Sequence, residues 1–106
     1  MSIEDIVRNQ REYYLTGATR PLDFRLDALR KLQQAVREYE SKISDALLRD
    51  LNKQPFESYM AEIGMVLDEV RFHLRHLPRW SRDKRVPTPL AQFHAVSFLS
   101  PEPYGV

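Results

Sequence analysis

LDFRLDALRKLQQAVREYESKISDALLRDL, Leu22 to Leu51, is the stretch that decides the fold class. Within it Leu22, Leu26, Leu29, Leu32, Val36, Tyr39, Ile43, Leu47 and Leu51 recur every three or four residues. That spacing keeps one apolar face in phase over about eight helical turns, where a strand would need strict alternation. One long helix and two helices kinked near Glu40-Ser41 fit the pattern equally well.

Working outward toward the N-terminus, Thr19-Arg20-Pro21 marks the start of this helical region, with proline accepted in a first turn because its missing N–H would have no intrahelical partner. Before it, Ser2 and Asp5 have the spacing of a capping box, and Ile3, Ile6, Val7, Tyr13 and Tyr14 follow at helical intervals until Gly17 supplies a stop. Toward the C-terminus, Asn52-Lys53-Gln54-Pro55 reads as a turn, with Pro55 opening another helix. Phe56, Met60, Ile63, Leu67, Val70, Leu74 and Leu77 form its stripe, flanked by Glu57, Glu62, Asp68 and Glu69. Pro78 is predicted to end or kink that helix, since it lacks the N–H and its ring crowds the preceding turn.

Four of the seven prolines lie between Pro87 and Pro103. They mark residues 83–91 as a linker, and the Phe-, Val- and Ala-rich residues from Gln92 to Leu99 alternate roughly enough to predict a strand. The expected fold class is therefore mainly α, three to four amphipathic helices over residues 1–82 followed by a C-terminal strand within residues 92–106. The chain ends in this extended stretch, so the terminal stretch from Phe93 to Val106 is expected to lack a strand partner in its own chain. It would then pair with another molecule or stay disordered, and the chain reads as a piece of something larger.

Composition narrows function by exclusion. Lys plus Arg (16) nearly balances Asp plus Glu (15), giving a net charge of +1, so no global field argues for a nucleic-acid or membrane partner. The absence of cysteine rules out disulfides, thiolate metal sites and a cysteine nucleophile within these residues. No apolar run is long enough for a signal peptide or membrane span, and the cytoplasm is the expected compartment. Gly17, Gly64 and Gly105 stand too far apart to build a phosphate-cradling loop, and no serine sits in a glycine-flanked elbow.

Two clusters carry possible chemistry. Glu69, His73 and His76, at i, i+4 and i+7, could face one way and offer a carboxylate and two imidazoles to zinc or iron. They also sit where polar flanks of an apolar stripe belong, and the chain is read as holding no metal. Arg71, Arg75, Arg79, Arg82, Lys84 and Arg85 gather with Trp80 around a helix end, an arrangement that can bind phosphates and stack bases. Cations at a helix C-terminus offset its exposed carbonyls, which accounts for them without nucleic acid.

Longer runs carry a resemblance. Arg11-Glu12-Tyr13-Tyr14-Leu15-Thr16-Gly17-Ala18-Thr19-Arg20-Pro21-Leu22-Asp23-Phe24-Arg25 resembles the start of the class 3 branch of NAD(P)-dependent aldehyde dehydrogenases. Asp50 to Tyr59, Glu62 to Val70, Arg85 to Leu90 and Pro101 to Val106 are similar to that branch in wording and order. The resemblance spans nearly the entire chain but only about the first quarter of the family. It implies that the catalytic cysteine, the general-base glutamate, the oxyanion-hole asparagine and the nucleotide-binding segments lie beyond residue 106. No catalytic, cofactor-binding or metal residue is then expected here, and the segment alone should be inert.

The resemblance places Met65 at a position that lines the substrate funnel, although a methionine flanking an apolar stripe fits the same residue. It further implies NAD or NADP as the parent enzyme's cofactor, with none bound by this chain alone. The helices would pack on the nucleotide-binding domain, and the terminal strand would join a bridging sheet that carries a dimer contact. The expected partners are the remainder of the parent chain and a second copy, as a homodimer or other self-association. A rival of another class is a free-standing helical module that dimerises or holds a partner through its exposed stripes, without enzymatic activity.

Overall fold

A computed structural model describes residues 2–105; Met1 and Val106, which end the expected helical and strand regions, lie outside the described residues. Helix α1 runs Ile3–Leu15 and opens on the capping box: the Ser2 side chain accepts the Asp5 N–H at 3.2 Å, and the Asp5 carboxylate accepts the Ser2 N–H at 3.1 Å. Gly17 leaves the helix at φ 77°, a left-handed conformation that glycine adopts without steric cost. Helix α2 spans Leu22–Glu38, and Pro21 stands just outside it as the cap residue instead of inside the first turn.

Between the two arrangements open for Leu22 to Leu51, the chain adopts two helices. Tyr39, at φ −96° and ψ 7°, separates α2 from α3, Glu40–Leu51. The Tyr39 N–H still donates to the Ala35 carbonyl and its own carbonyl accepts from Ile43, both at 2.9 Å, so the joint is a kink of one residue. Asn52 closes α3 in the left-handed region, which asparagine tolerates better than other non-glycine residues.

From Pro55 to Trp80 runs one rod in three parts: α4, Pro55–Ser58; a π turn, Tyr59–Ile63; and α5, Gly64–Trp80. The expected stripe assumed a regular period throughout, and the π turn breaks it. Phe56 and Met60 are exposed, at 76% and 59%, while Ser58 is fully buried. Ser58 and Ile63 stand five apart, the interval that bonds of the i→i+5 type bring back to one side. Pro78 does not end α5: it falls in the last turn, where only one interior bond is lost, and Ser81 caps the helix by donating to the Leu77 carbonyl at 2.9 Å.

The C-terminal region corrects two expectations. The residues read as a linker contain a strand, β1 (Lys84–Val86), and the expected strand over Gln92 to Leu99 shrinks to β2 (Ser97–Leu99) after a 3₁₀ turn at Leu90–Gln92. β1 and β2 pair antiparallel, Lys84 with Leu99, Arg85 with Phe98 and Val86 with Ser97. The strand therefore has a partner in its own chain, and the expected lack of one was wrong. Thr88 Oγ1 donates to Ser97 Oγ at 3.1 Å, and Ser100 Oγ donates to Asp83 Oδ1 at 2.7 Å, fastening both ends of the hairpin.

Helix α2 packs along α5, and α3 packs on α4 and the π turn. The core they enclose is thin: Ile63, Leu67 and Val70 are the buried apolar side chains among the described residues. The radius of gyration is 20.1 Å, against about 13 Å for a compact domain of this length. This is a layer, open along one side.

Candidate functional site

Met65, on the first turn of α5, projects at 62% exposure from a surface that the π turn shapes. Gly64 before it has an ordinary helical conformation, φ −63°, so its reason for being glycine is space and not backbone freedom. Its N–H donates to the Tyr59 carbonyl, five residues back. A Cβ at Gly64 would lie 2.8 Å from that carbonyl oxygen and 3.3 Å from Tyr59 Cε1. The first distance is shorter than any ordinary carbon–oxygen contact and involves backbone, which cannot swing aside. Phe56, Tyr59, Met60, Met65 and Val66 are all exposed along this rod.

Lys53, in the turn before α4, forms an ion pair with Glu62 in the π turn and ties the two together. The hydrogen bond to Glu62 holds the Lys53 ammonium above its ordinary 10.5, aided by the charges of Glu62 and Glu57 and opposed by desolvation. A raised pKa means that this contribution to stability is present through neutral pH. It is lost only as pH climbs above 10.5 through the raised value.

Of the other sequence candidates, Glu69 Oε1 and His73 Nδ1 approach to 3.5 Å. His73 Nδ1–H donates to the Glu69 carbonyl at 2.9 Å and His76 Nδ1–H to the Phe72 carbonyl at 2.8 Å, so each imidazole spends one nitrogen on its own helix. Among the described residues no three His, Cys, Asp or Glu side chains converge on a point that could hold a metal. The rings stack instead: His76 lies 4.1 Å from Phe72 and 5.5 Å from Trp80, centre to centre. Of the basic cluster, Arg71 is paired with Asp68 at 2.8 Å.

Sequence reasoning did not find the clasp that joins the chain's two ends. Arg20 donates two bonds to the Glu102 carboxylate, at 2.6 and 2.8 Å, and Tyr14 Oη donates to the Pro103 carbonyl at 2.9 Å. Eighty-two residues separate Arg20 from Glu102. Both lie inside the runs that carry the family resemblance, which was the signal available. The clasp is exposed, so its ionic part contributes direction more than energy, typically under about 1 kcal/mol.

No protein-family model matches the chain. Individual proteins do. The chain is 37% identical over 103 residues to 4,4'-diaponeurosporen-aldehyde dehydrogenase of Staphylococcus aureus, covering 97% of this chain and 22% of that protein. It is 38% identical over 102 residues to human aldehyde dehydrogenase family 3 member B1, and 34% identical over 105 residues to the dimeric NADP-preferring aldehyde dehydrogenase of dog. These matches cover 96% and 98% of this chain and 22% and 23% of the two relatives. A solved structure, described as the substrate-bound state of Staphylococcus aureus AldH, superposes with a TM-score of 0.90 at 36% identity, over 98% of this chain and 23% of that one.

Over nearly its whole length the chain is similar to the N-terminal part of family 3 aldehyde dehydrogenases. It spans about 22% of the length of the relatives it matches, their N-terminal part, and its helices and hairpin are that part of the aldehyde dehydrogenase fold. Aldehyde dehydrogenases in general use NAD or NADP. Among the described residues, Gly17 and Gly105 have positive φ while Gly64 is helical, and the three stand too far apart in sequence to form one glycine-rich phosphate loop. No helix among the described residues is long and apolar enough to cross a membrane.

Proposed function

We propose that this chain is the N-terminal part of an aldehyde dehydrogenase that oxidises aldehydes to carboxylates with NAD or NADP. The observation that carries the reading is similarity over nearly the whole chain, 37% identity across 97% of it in one relative, joined to a fold with a TM-score of 0.90. The open layer supports it, because apolar faces on α1, α2 and α5 need a neighbour larger than this chain provides. Nothing found favours a free-standing interaction module.

In this reading the chain supplies walls and not chemistry. It has no cysteine, so no thiolate here can attack an aldehyde carbonyl. Met65 borders the aldehyde funnel with a soft, apolar side chain that excludes water without reacting. The α2–α5 layer, within residues 1–82, packs on the nucleotide-binding domain supplied by the remainder of the parent chain. The hairpin, within residues 83–106, joins the bridging sheet and its dimer contact. A cytoplasmic homodimer goes with this reading.

The test uses two samples. The full-length gene product is expected to reduce NAD or NADP when an aldehyde is added; the chain of residues 1–106 alone is expected to give no reduced cofactor and no NAD binding in calorimetry. A full-length protein inactive on every aldehyde tried sinks the enzymatic reading. Turnover by residues 1–106 alone sinks the division of labour.

A further inference from the structure

We infer that Gly64 is a positioning residue: it holds open a one-residue insertion in the rod Pro55–Trp80, and the insertion sets where Tyr59, Glu62 and Met65 each emerge from the rod. That Met65 faces the aldehyde rests on the function proposed above; the insertion itself does not.

Three observations define the insertion. The Gly64 N–H bonds the carbonyl five residues back, where a regular helix would bond four back. Ser58 and Ile63, at 0% and 3% exposure, share the buried side across the π turn. On a regular helix residues five apart are rotated by about 140° and could not share it. Third, a Cβ at Gly64 would meet the Tyr59 carbonyl at 2.8 Å, so in the described residues only glycine closes the wide turn without displacing backbone.

Substitution of Gly64 by alanine leaves two outcomes, both of which shift where these side chains emerge. The turn can tighten to a regular helix, which rotates Pro55–Ser58 against α5 by about 100° per residue of slippage and draws Glu62 away from Lys53. Alternatively it stays wide and the Tyr59 carbonyl and ring shift away from the new methyl group. Removing one residue from the turn has the opposite effect. With Met60 deleted, Gly64 becomes the fourth residue after Tyr59, its bond becomes an ordinary helical one, and Ser58 and Ile63 stand four apart, still in phase. An alanine at 64 then meets nothing unusual.

The experiment compares four forms of the full-length gene product: the natural sequence, Gly64→Ala, deletion of Met60, and both changes together. Readouts are Tm, and KM and kcat with acetaldehyde and benzaldehyde. Gly64→Ala is expected to lower Tm by several degrees in the natural background and to leave it unchanged in the Met60-deleted background. It should change KM for benzaldehyde by about threefold or more, with kcat held within about twofold. The double form should regain stability but keep the altered KM, a split that a purely structural role would not produce. Should Gly64→Ala alone fail to accumulate, soluble recovery of the double form is the rescue. Equal loss of Tm in both backgrounds, or no loss in either, overturns the insertion; the expected Tm pattern with KM unmoved overturns the positioning role. If the natural protein oxidises no aldehyde, the function proposed above fails, and the Tm comparison still decides the insertion.

Discussion

Asp5 works through its carboxylate in two directions, accepting the Ser2 N–H and pairing with Arg8 one turn on. The backbone hydrogen bond from Ser2 is the largest of the causes that hold its carboxyl below its ordinary 3.8, with the Arg8 and Ser2 side chains adding to it. Glu4 beside it is lowered in the same direction, chiefly by a hydrogen bond from backbone N–H. A depressed carboxylate stabilises the folded form at every pH above its unfolded value and loses that contribution as pH falls through the folded one. Backbone carbon shifts of α1 should therefore hold steady down to about pH 4 and drift toward coil values below it. An Asp5→Ala variant should show weaker α1 shifts throughout and a smaller step, the remainder coming from Glu4. Helical shifts unchanged down to about pH 2 in the natural sequence would mean that the carboxylate does not hold the cap.

At the scale of elements, the hairpin is where the sequence reading and the structure part, and it makes the sharper prediction. Amides of Lys84–Val86 and Ser97–Leu99 are expected to show the same hydrogen-exchange protection at low and high protein concentration, because their bonds close within one chain. Protection that disappears on dilution would assign the pairing to a second molecule. Two strands of three residues are marginal alone in water, so the side-chain ties Thr88 to Ser97 and Asp83 to Ser100 should matter to its lifetime. What was legible was local: the Ser2–Asp5 box, Gly17, Asn52, Pro55 and the 3.6-residue stripes each act within one turn, so spacing reveals them. The hairpin was not, because β1 is a charged Lys84-Arg85 run whose strand character comes from a partner thirteen and fifteen residues away, Phe98 and Leu99. The π turn escaped for a related reason: a stripe drawn at regular period carries Phe56 and Met60 inward, and only the buried Ser58 betrays the extra residue. Met65 came from resemblance alone, since nothing in its spacing distinguishes it from other methionines off the stripe.

The whole molecule explains why so many apolar side chains stand in water. Its accessible surface is 8994 Å², whereas a compact monomer of this mass exposes about 6,200 Å², leaving an excess of about 2,800 Å². A standard protein–protein contact covers about 800 Å² on each partner, so one ordinary dimer interface would leave most of the excess open. Ile3, Leu15 and Tyr13 on α1 are exposed, and α1 forms no substantial packing layer with another described element, although an isolated helix of this length is marginal in water. The open side is thus the size and kind of surface that a covalently continuous neighbour covers. Residues 1–106 produced alone should accordingly be helical by circular dichroism yet associate progressively with concentration in sedimentation, without a sharp thermal transition. Coexpression with the remainder of the parent chain should recover a discrete species with cooperative unfolding. A concentration-independent monomer that melts cooperatively, with a radius of gyration near about 13 Å in solution scattering, would mean that the helices close on themselves and that the open layer is not the state this chain adopts.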